Sequence, residues 1–167
     1  SMVAVGFAAA PAAADVTAVS GSTADDVSIS STGTVDQVVQ FNATLDSGSE
    51  TIEIDTSNLP AELVDDVSAE VQDSNKTSGA SVDSDNIATN PGANITIPLT
   101  GVSNPEEVNV SATITHDTSI AASTGSAAGD VTYTISGASG SGSEDVTFNI
   151  NFAGTERVAD ANVAYNN

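Results

Sequence analysis

The sequence predicts an all-β protein, an antiparallel β-sandwich of immunoglobulin-like or jelly-roll-like type with eight or nine strands. Three observations support this class. Apolar and polar residues alternate with period two in many short runs. Gly, Ser, Asn, Asp and Pro separate these runs, as turns require. No segment keeps a helical period, and the only candidate for a single helical turn is 61–66, which follows Pro60.

The predicted strands follow one another along one domain, residues 15–167. They are 26–31, 37–46, 50–56, 67–73, 93–100, 107–116, 129–136 and 144–152, with a weaker run at 157–165. The Gly- and Ser-rich stretch SGASGSGSE at 136–144 joins two of them as a hairpin.

Three of these strands have one apolar and one polar face. The apolar sets are Val39, Phe41, Ala43 and Leu45; Val108, Val110, Ala112 and Ile114; and Val146, Phe148, Ile150 and Phe152. Strands of this kind belong to antiparallel sheets with one face in water. Two such sheets packed face to face form a sandwich.

The charge balance excludes several classes of function. The chain has 23 acidic residues and only two fixed cations, Lys76 and Arg157, for a net charge of −21. Two cations cannot form a basic patch, so we expect no nucleic-acid partner, and an anionic membrane surface would repel the chain. Molar salt would screen the self-repulsion. The composition, almost without Lys and rich in Asp, Thr, Ser, Ala and Val, resembles that of proteins from extremely halophilic archaea.

An apolar arm, SMVAVGFAAAPAAA, occupies residues 1–14 and carries no charged side chain. It is shorter than the roughly 20 residues that span a bilayer, so we expect no membrane span. Read as a strand, it places Val3, Val5 and Phe7 on one face and small residues on the other. An isolated apolar strand is unstable in water and needs a partner. The arm is therefore a signal-peptide remnant, an edge strand of its own domain, or a strand donated to a neighbouring copy.

The order of these parts resembles a known family. A Gly- and Ala-rich arm, here with SMVAVGF, followed by an acidic β-sandwich rich in Thr and Ser, looks like archaeal pilins that assemble by donor-strand exchange, such as those of bundling pili, and like the TasA-type subunits of bacterial biofilm fibres. The resemblance implies an extracellular filament of identical copies, joined head to tail, with no catalysis and no cofactor. Val3, Val5 and Phe7 would then be the polymerisation anchors. The alternative is a secreted or cell-surface domain, of an adhesin, an S-layer or a virion, that keeps the arm in its own fold.

Four Asn-X-Ser/Thr sequons predict N-glycan acceptors, at Asn42, Asn75, Asn94 and Asn109. Asn42, Asn94 and Asn109 lie on the polar side of their predicted strands, and Asn75 lies in a loop. All four positions are compatible with an outward-facing sugar on a secreted protein.

Motifs of catalysis are not found in the sequence. His116, the only histidine, precedes Asp117 and is expected at the surface end of a strand, without a triad role. The carboxylate pairs at 25–26, 65–66 and 106–107 and the DSD at 83–85 lack the calcium-loop spacing of an EF-hand. We expect them to form a solvated acidic surface with no metal.

Overall fold

The computed structural model describes residues 16–30, 32–46, 48–72, 79–102, 105–119, 128–139 and 142–152. The strands in these ranges are β1 Val16–Ala24, β2 Val27–Ile29, β3 Thr34–Leu45, β4 Gly48–Asp55, β5 Val64–Val71, β6 Ser81–Val82, β7 Ala88–Asn90, β8 Asn94–Val102, β9 Glu106–Asp117, β10 Gly129–Gly137 and β11 Ser143–Phe152. A short 3-10 turn, Ser84–Asn86, lies between β6 and β7.

The strands form two sheets. The four-stranded sheet has the order β1-β3-β9-β5, and all its pairs are antiparallel. The seven-stranded sheet has the order β2-β11-β10-β4-β8-β6, with β7 also paired to β8. Within it, β2 runs parallel to β11, and the chain crosses from the first sheet to the second between β1 and β2. The fold is thus the all-β sandwich that the sequence predicts.

The core lies between the two sheets and follows the predicted faces. The apolar residues predicted to point inward from β3 and β9 are fully buried, and Val146, Phe148 and Ile150 of β11 are nearly so. The other strands of the seven-stranded sheet fill the remaining space with Ile52, Ile54, Ile95, Ile97 and Tyr133. The Tyr133 and Phe148 rings contact each other with their centroids 4.6 Å apart, a spacing typical of favourable aromatic pairs.

Two local predictions were wrong. β1 and the short strands β6 and β7 are absent from the predicted set. In β1, register shifts between Val16 and Ala18 and between Ser20 and Thr23 interrupt the alternation. A β-bulge moves the following side chains to the other face, so no period-two pattern survives in the sequence. In place of the expected helical turn at 61–66, the Leu63 N–H closes a turn onto the Pro60 carbonyl at 3.0 Å, and β5 begins at Val64. The weak run at 157–165 lies outside the described residues, and the domain boundary at 14/15 stays a prediction.

Candidate strand-docking edge

Both outer faces of the sandwich are polar. On the four-stranded sheet, the outward side chains of β3, β9 and β5 are Asp36, Gln40, Asn42, Thr44, Glu107, Asn109, Ser111, Thr113, Thr115, Asp66, Ser68 and Glu70, with Val38 as an apolar exception. Many pair across strands, as in the bonds from Thr115 to Asp36 at 2.8 Å and from Thr134 to Asp145, on the other sheet, at 2.7 Å. Among the described residues, neither face has an extended apolar patch, so a partner strand would bind at an edge of a sheet.

Three of the predicted glycan acceptors lie on these faces. Asn42 and Asn109 are directly opposite each other on β3 and β9, and the Asn109 Nδ2 donates to the Asn42 Oδ1 at 2.9 Å. Asn94 begins β8 on the other sheet, where its Oδ1 accepts a hydrogen bond from Asn90. Each is half-buried by its neighbours. Asn75, like the arm residues Val3, Val5 and Phe7, lies outside the described residues.

The β1 edge of the four-stranded sheet is covered. The Val16 carbonyl accepts from the Gly142 N–H at 3.1 Å, so the start of β1 is bonded to the β10–β11 hairpin. Further along, the Ser22 N–H donates to the carboxylate of the half-buried Glu144 at 2.8 Å. The nearby Ser22 hydroxyl and the bond from the Ser22 N–H hold the pKa of Glu144 below its usual range, because the ionised form is the better acceptor. Bulges and a covering side chain are common means of protecting an edge strand.

The contact between the hairpin and β1 needs glycine. A Cβ on Gly142 would lie 2.5 Å from the Ala18 nitrogen, and one on Gly137 would lie 2.6 Å from the Val16 Cβ. Real Cβ atoms essentially never approach so closely, so these glycines permit the hairpin to pack on β1.

A buried polar cluster fixes the crossover that follows β1. The Gln37 side chain, with no exposed surface, donates from Nε2 to the Asp25 carbonyl at 2.7 Å. Its Oε1 accepts from the Tyr133 hydroxyl at 2.8 Å and faces His116 Nε2 at 2.9 Å. The cluster therefore joins both sheets to the chain between β1 and β2. Burial raises the pKa of Tyr133 far above its usual value, so the phenol stays a donor.

His116 was expected at the surface, and this prediction is wrong, because the side chain is fully buried. Since Gln37 Oε1 can only accept, His116 must carry its proton on Nε2. Its Nδ1 makes no hydrogen bond within the described part of the chain. Burial lowers the pKa of His116 to about 4, against the opposing effects of the Asp36 charge and the Leu63 carbonyl. The ring is neutral at pH 7 and holds a structural position.

The β5 edge, on the other side of the same sheet, has no paired strand among the described residues. The Gln72 N–H donates to the Asn109 carbonyl at 2.9 Å, so by the alternation of an antiparallel ladder the even-numbered residues of β5 bond to β9. Val67, Ala69 and Val71 direct their N–H and C=O groups away from β9. No strand described by the structure pairs with that side of β5.

The side chains behind this edge are incompletely covered. Val67 is 8% exposed, and Ala69 and Val71, which follow it on the same inward face, are half-buried. β6 and β7 of the other sheet lie beside β5, and the apolar residues Val82 and Ile87 at that side are also half-buried. We call these five residues, Val67, Ala69, Val71, Val82 and Ile87, the β5 seam. It is an apolar surface with unpaired backbone groups beside it, as a strand-docking site requires.

The acidic clusters do not converge on a metal site in the described ranges. No group of three or more His, Asp or Glu side chains there could hold a metal ion. Nor does any helix in those ranges have the length and apolarity to span a membrane. These ranges include the carboxylate pairs at 25–26, 65–66 and 106–107 and the DSD at 83–85.

Comparison with known proteins gives a distant structural likeness. No family model and no curated protein matches the chain. Among solved structures, the chain is similar to the solution structure of CaCohA2 from Clostridium acetobutylicum, a cohesin domain. The two share 17% identity, the match covers 81% of this chain and 92% of that chain, and the TM-score is 0.37. At that level the likeness carries no inference about function.

Proposed function

We propose that this protein is a structural subunit of an extracellular filament, a pilus or fimbria that serves adhesion or biofilm formation. Copies join head to tail when the apolar arm of one copy completes the sandwich of the next. The observation that supports this most is the contrast between the two edges of the four-stranded sheet. The arm joins the body at Val16, on the covered edge, whereas the opposite edge has the β5 seam, most of whose apolar residues are only half-buried.

Charge also favours the arm as the contact between copies. The chain carries a net charge of −21, so two copies that met face to face would repel each other. Residues 1–14 have no charged side chain. The arm can therefore enter an acidic neighbour without bringing like charges together, and salt that screens the remaining repulsion would help.

The other expectations fit this role. Of the four proposed glycan acceptors, Asn42, Asn94 and Asn109 are on the faces of the sandwich, so sugars on these three would leave the β5 seam accessible, and Asn75 lies outside the described residues. His116 bonds to Gln37 inside the core, in an arrangement that a nucleophile–base pair at a substrate cleft would not have. We therefore propose a non-enzymatic protein without a cofactor, located at the cell surface of a halophile.

Imaging of the full-length protein and three arm variants tests the proposal. Purified full-length protein in molar salt should form fibres in negative-stain electron microscopy. The variants Val5→Asp and Phe7→Asp should remain as separate particles, because a carboxylate on the arm cannot be buried without a large cost. Ala4→Ser, on the small-residue face, should still form fibres. Fibres of normal length from both Asp variants would contradict the proposal.

Salt supplies a second test of the same proposal. Fibres transferred to dilute buffer should shorten or dissociate, because the screening length grows from about 3 Å at 1 M salt to about 30 Å at 0.01 M. Fibre length in the two buffers is the measurement. Equal length in both would contradict the proposed role of charge while leaving the role of the arm intact.

The competing arrangement keeps the arm in its own copy. β1 and β5 are three strand spacings apart, about 14 Å, and the seven residues 9–15 span up to about 23 Å when extended. A chain whose arm folds back on its own seam would be a stable monomer, as expected of an adhesion or surface domain. Sedimentation at high salt separates the two arrangements, since only strand donation gives mass that grows with concentration.

A further inference from the structure

We infer that the acceptor for the arm is the β5 seam, with residues 3–7 of one copy forming an additional strand beside residues 67–71 of the next. This inference rests on the proposed function and specifies its binding site. Strand addition of this kind joins main-chain groups through hydrogen bonds and fills pockets with alternate side chains.

The seam and the arm match in period and in number. β5 presents three inward apolar residues at alternate positions, Val67, Ala69 and Val71, and the same residues carry the outward backbone groups. The arm has three large apolar residues, also at alternate positions: Val3, Val5 and Phe7. A strand that paired with β5 would place these side chains inward, over Val82 and Ile87. The small residues between them would face solvent.

The charges of β5 select the arm over a second β5 strand. Asp66 and Glu70 point outward from β5, and Asp65 is exposed at the bulge before them. If two β5 edges paired, these carboxylates would oppose each other, which is destabilising. An arm without charged side chains avoids that repulsion. The acidic residues would thus leave the edge free for the arm and disfavour symmetric dimers.

No other edge among the described strands fits as well. β1 is bulged and already bonded to the hairpin and to Glu144. β2, β6 and β7 are only two or three residues long. β11 pairs with β2 only at residues 150–152, but the rest of that side lies beside β1, and the Asn149 N–H bonds to Asp26. Among the described strands, β5 has eight residues with a single irregularity near its start and presents the regular ladder that the arm needs.

The resulting contact makes an open chain of copies. The arm leaves at the β1 edge and binds at the β5 edge, so the two surfaces in contact are different. A contact of this type repeats from copy to copy and gives a filament unless the rotation closes a ring.

Cysteine cross-linking tests the site, and the chain contains no native cysteine to interfere. One preparation carries Ala69→Cys, and the other carries Cys at position 3, 5 or 7 of the arm. Mixed in molar salt and mildly oxidised, they should give a disulfide-linked heterodimer for at least one arm position. The control pairs the same arm variants with Ala18→Cys, on the covered β1 edge. Cross-linking to position 18 and not to position 69 would overturn the inference.

A proline at the edge provides an independent test. The Ala69 N–H points away from β9, so Ala69→Pro removes a donor that the body of the fold does not use. We expect an unchanged circular dichroism spectrum and a critical concentration for assembly raised about tenfold or more. Ala69→Ser, which keeps the N–H, is the matched control and should assemble normally.

The outcomes separate this inference from the proposed function. If Val5→Asp abolishes fibres and Ala69→Pro does not, the arm polymerises the protein through a different acceptor, and the inference fails alone. If neither variant affects the fibres, both fail. A disulfide that closes within a single chain carrying Cys at both positions, without heterodimers from the mixture, would show the arm on its own seam and would overturn both.

Discussion

The two edges of the four-stranded sheet differ in whether their outward backbone groups are covered by other parts of the described chain. At the β1 edge, a hairpin, a carboxylate and two bulges occupy the groups that a partner would use. At the β5 edge, acidic side chains keep like strands away but leave regular backbone and half-buried valines in place. The first edge is complete within one chain. The second has the features of a site that a further strand completes, which is why we assign assembly to it.

The comparison implies that substitutions on the β1 side should lower the stability of the fold, whereas substitutions at the β5 edge should weaken assembly. The largest expected effect is that of Gln37→Leu, which leaves the Tyr133 and His116 donors without their buried acceptor. We expect unfolding free energy to fall by about 4 kcal/mol, because each buried unsatisfied group costs about 1–3 kcal/mol.

Urea denaturation of the two Gln variants of β3 measures this. Gln40→Leu, on the polar face of the same strand, should change the unfolding free energy by no more than about 0.5 kcal/mol. Similar losses for positions 37 and 40 would mean that the cluster does not hold the β1–β2 crossover.

Lowering the pH should lower the free energy of unfolding through His116, which belongs to the same polar cluster. Unfolded His116 takes up its proton near pH 6.5 and the folded residue near pH 4. Between these values the unfolded state binds more protons, so stability is full above pH 6.5 and falls as the pH is lowered toward 4, by up to about 3 kcal/mol. Denaturant titrations at pH 7 and pH 4.5 on wild type and His116→Gln measure it. An equal decline in both proteins would assign the effect to carboxylates instead.

A smaller loss of stability should follow when a methyl group is added where the β10–β11 hairpin packs on β1. In Gly142→Ala the new Cβ meets the backbone of β1, and overpacking of this kind costs about 2 kcal/mol. Thermal unfolding measures the loss, and Ser143→Ala, at an exposed position next to it, is the control. A melting temperature equal to that of the control would show that the hairpin does not pack on β1 so closely.

The smallest expected effect is local. Glu144→Gln removes a charged acceptor from the Ser22 N–H, so exchange of that amide with solvent deuterium should accelerate. In the monomer, the Ala69 amide at the β5 edge should already exchange quickly and should not respond. Slow exchange at Ala69 in the monomer would contradict the description of that edge as open.

Much of the sandwich could be predicted, because its two-sheet packing imposes period two on β3, β9 and β11. Burial of Gln37 and His116 also had a signal in the sequence. Gln37 continues the inward-facing series of Val39 and Phe41, and His116 continues that of Ala112 and Ile114. A polar residue in an inward-facing series is buried if another segment covers the end of the strand. The crossover after β1 covers this strand end. The sequence pattern did not reveal that segment, because the bulges of β1 interrupt the alternation.

The docking edge could not be predicted in the same way. Alternation in 67–73 gives the faces of β5 but not its place in the sheet, since strand order depends on long-range pairing. From sequence, the arm could be recognised as a strand in need of a partner. Only the topology shows that the β5 edge lies opposite the point where the arm joins the body.

An electron cryomicroscopy reconstruction of the assembled protein tests the central claim most directly. We predict a continuous ladder in which residues 3–7 of one copy run beside residues 67–71 of the next, with Val3, Val5 and Phe7 turned toward Val82 and Ile87. A reconstruction with a bare β5 edge and copies joined through their polar faces would contradict the account.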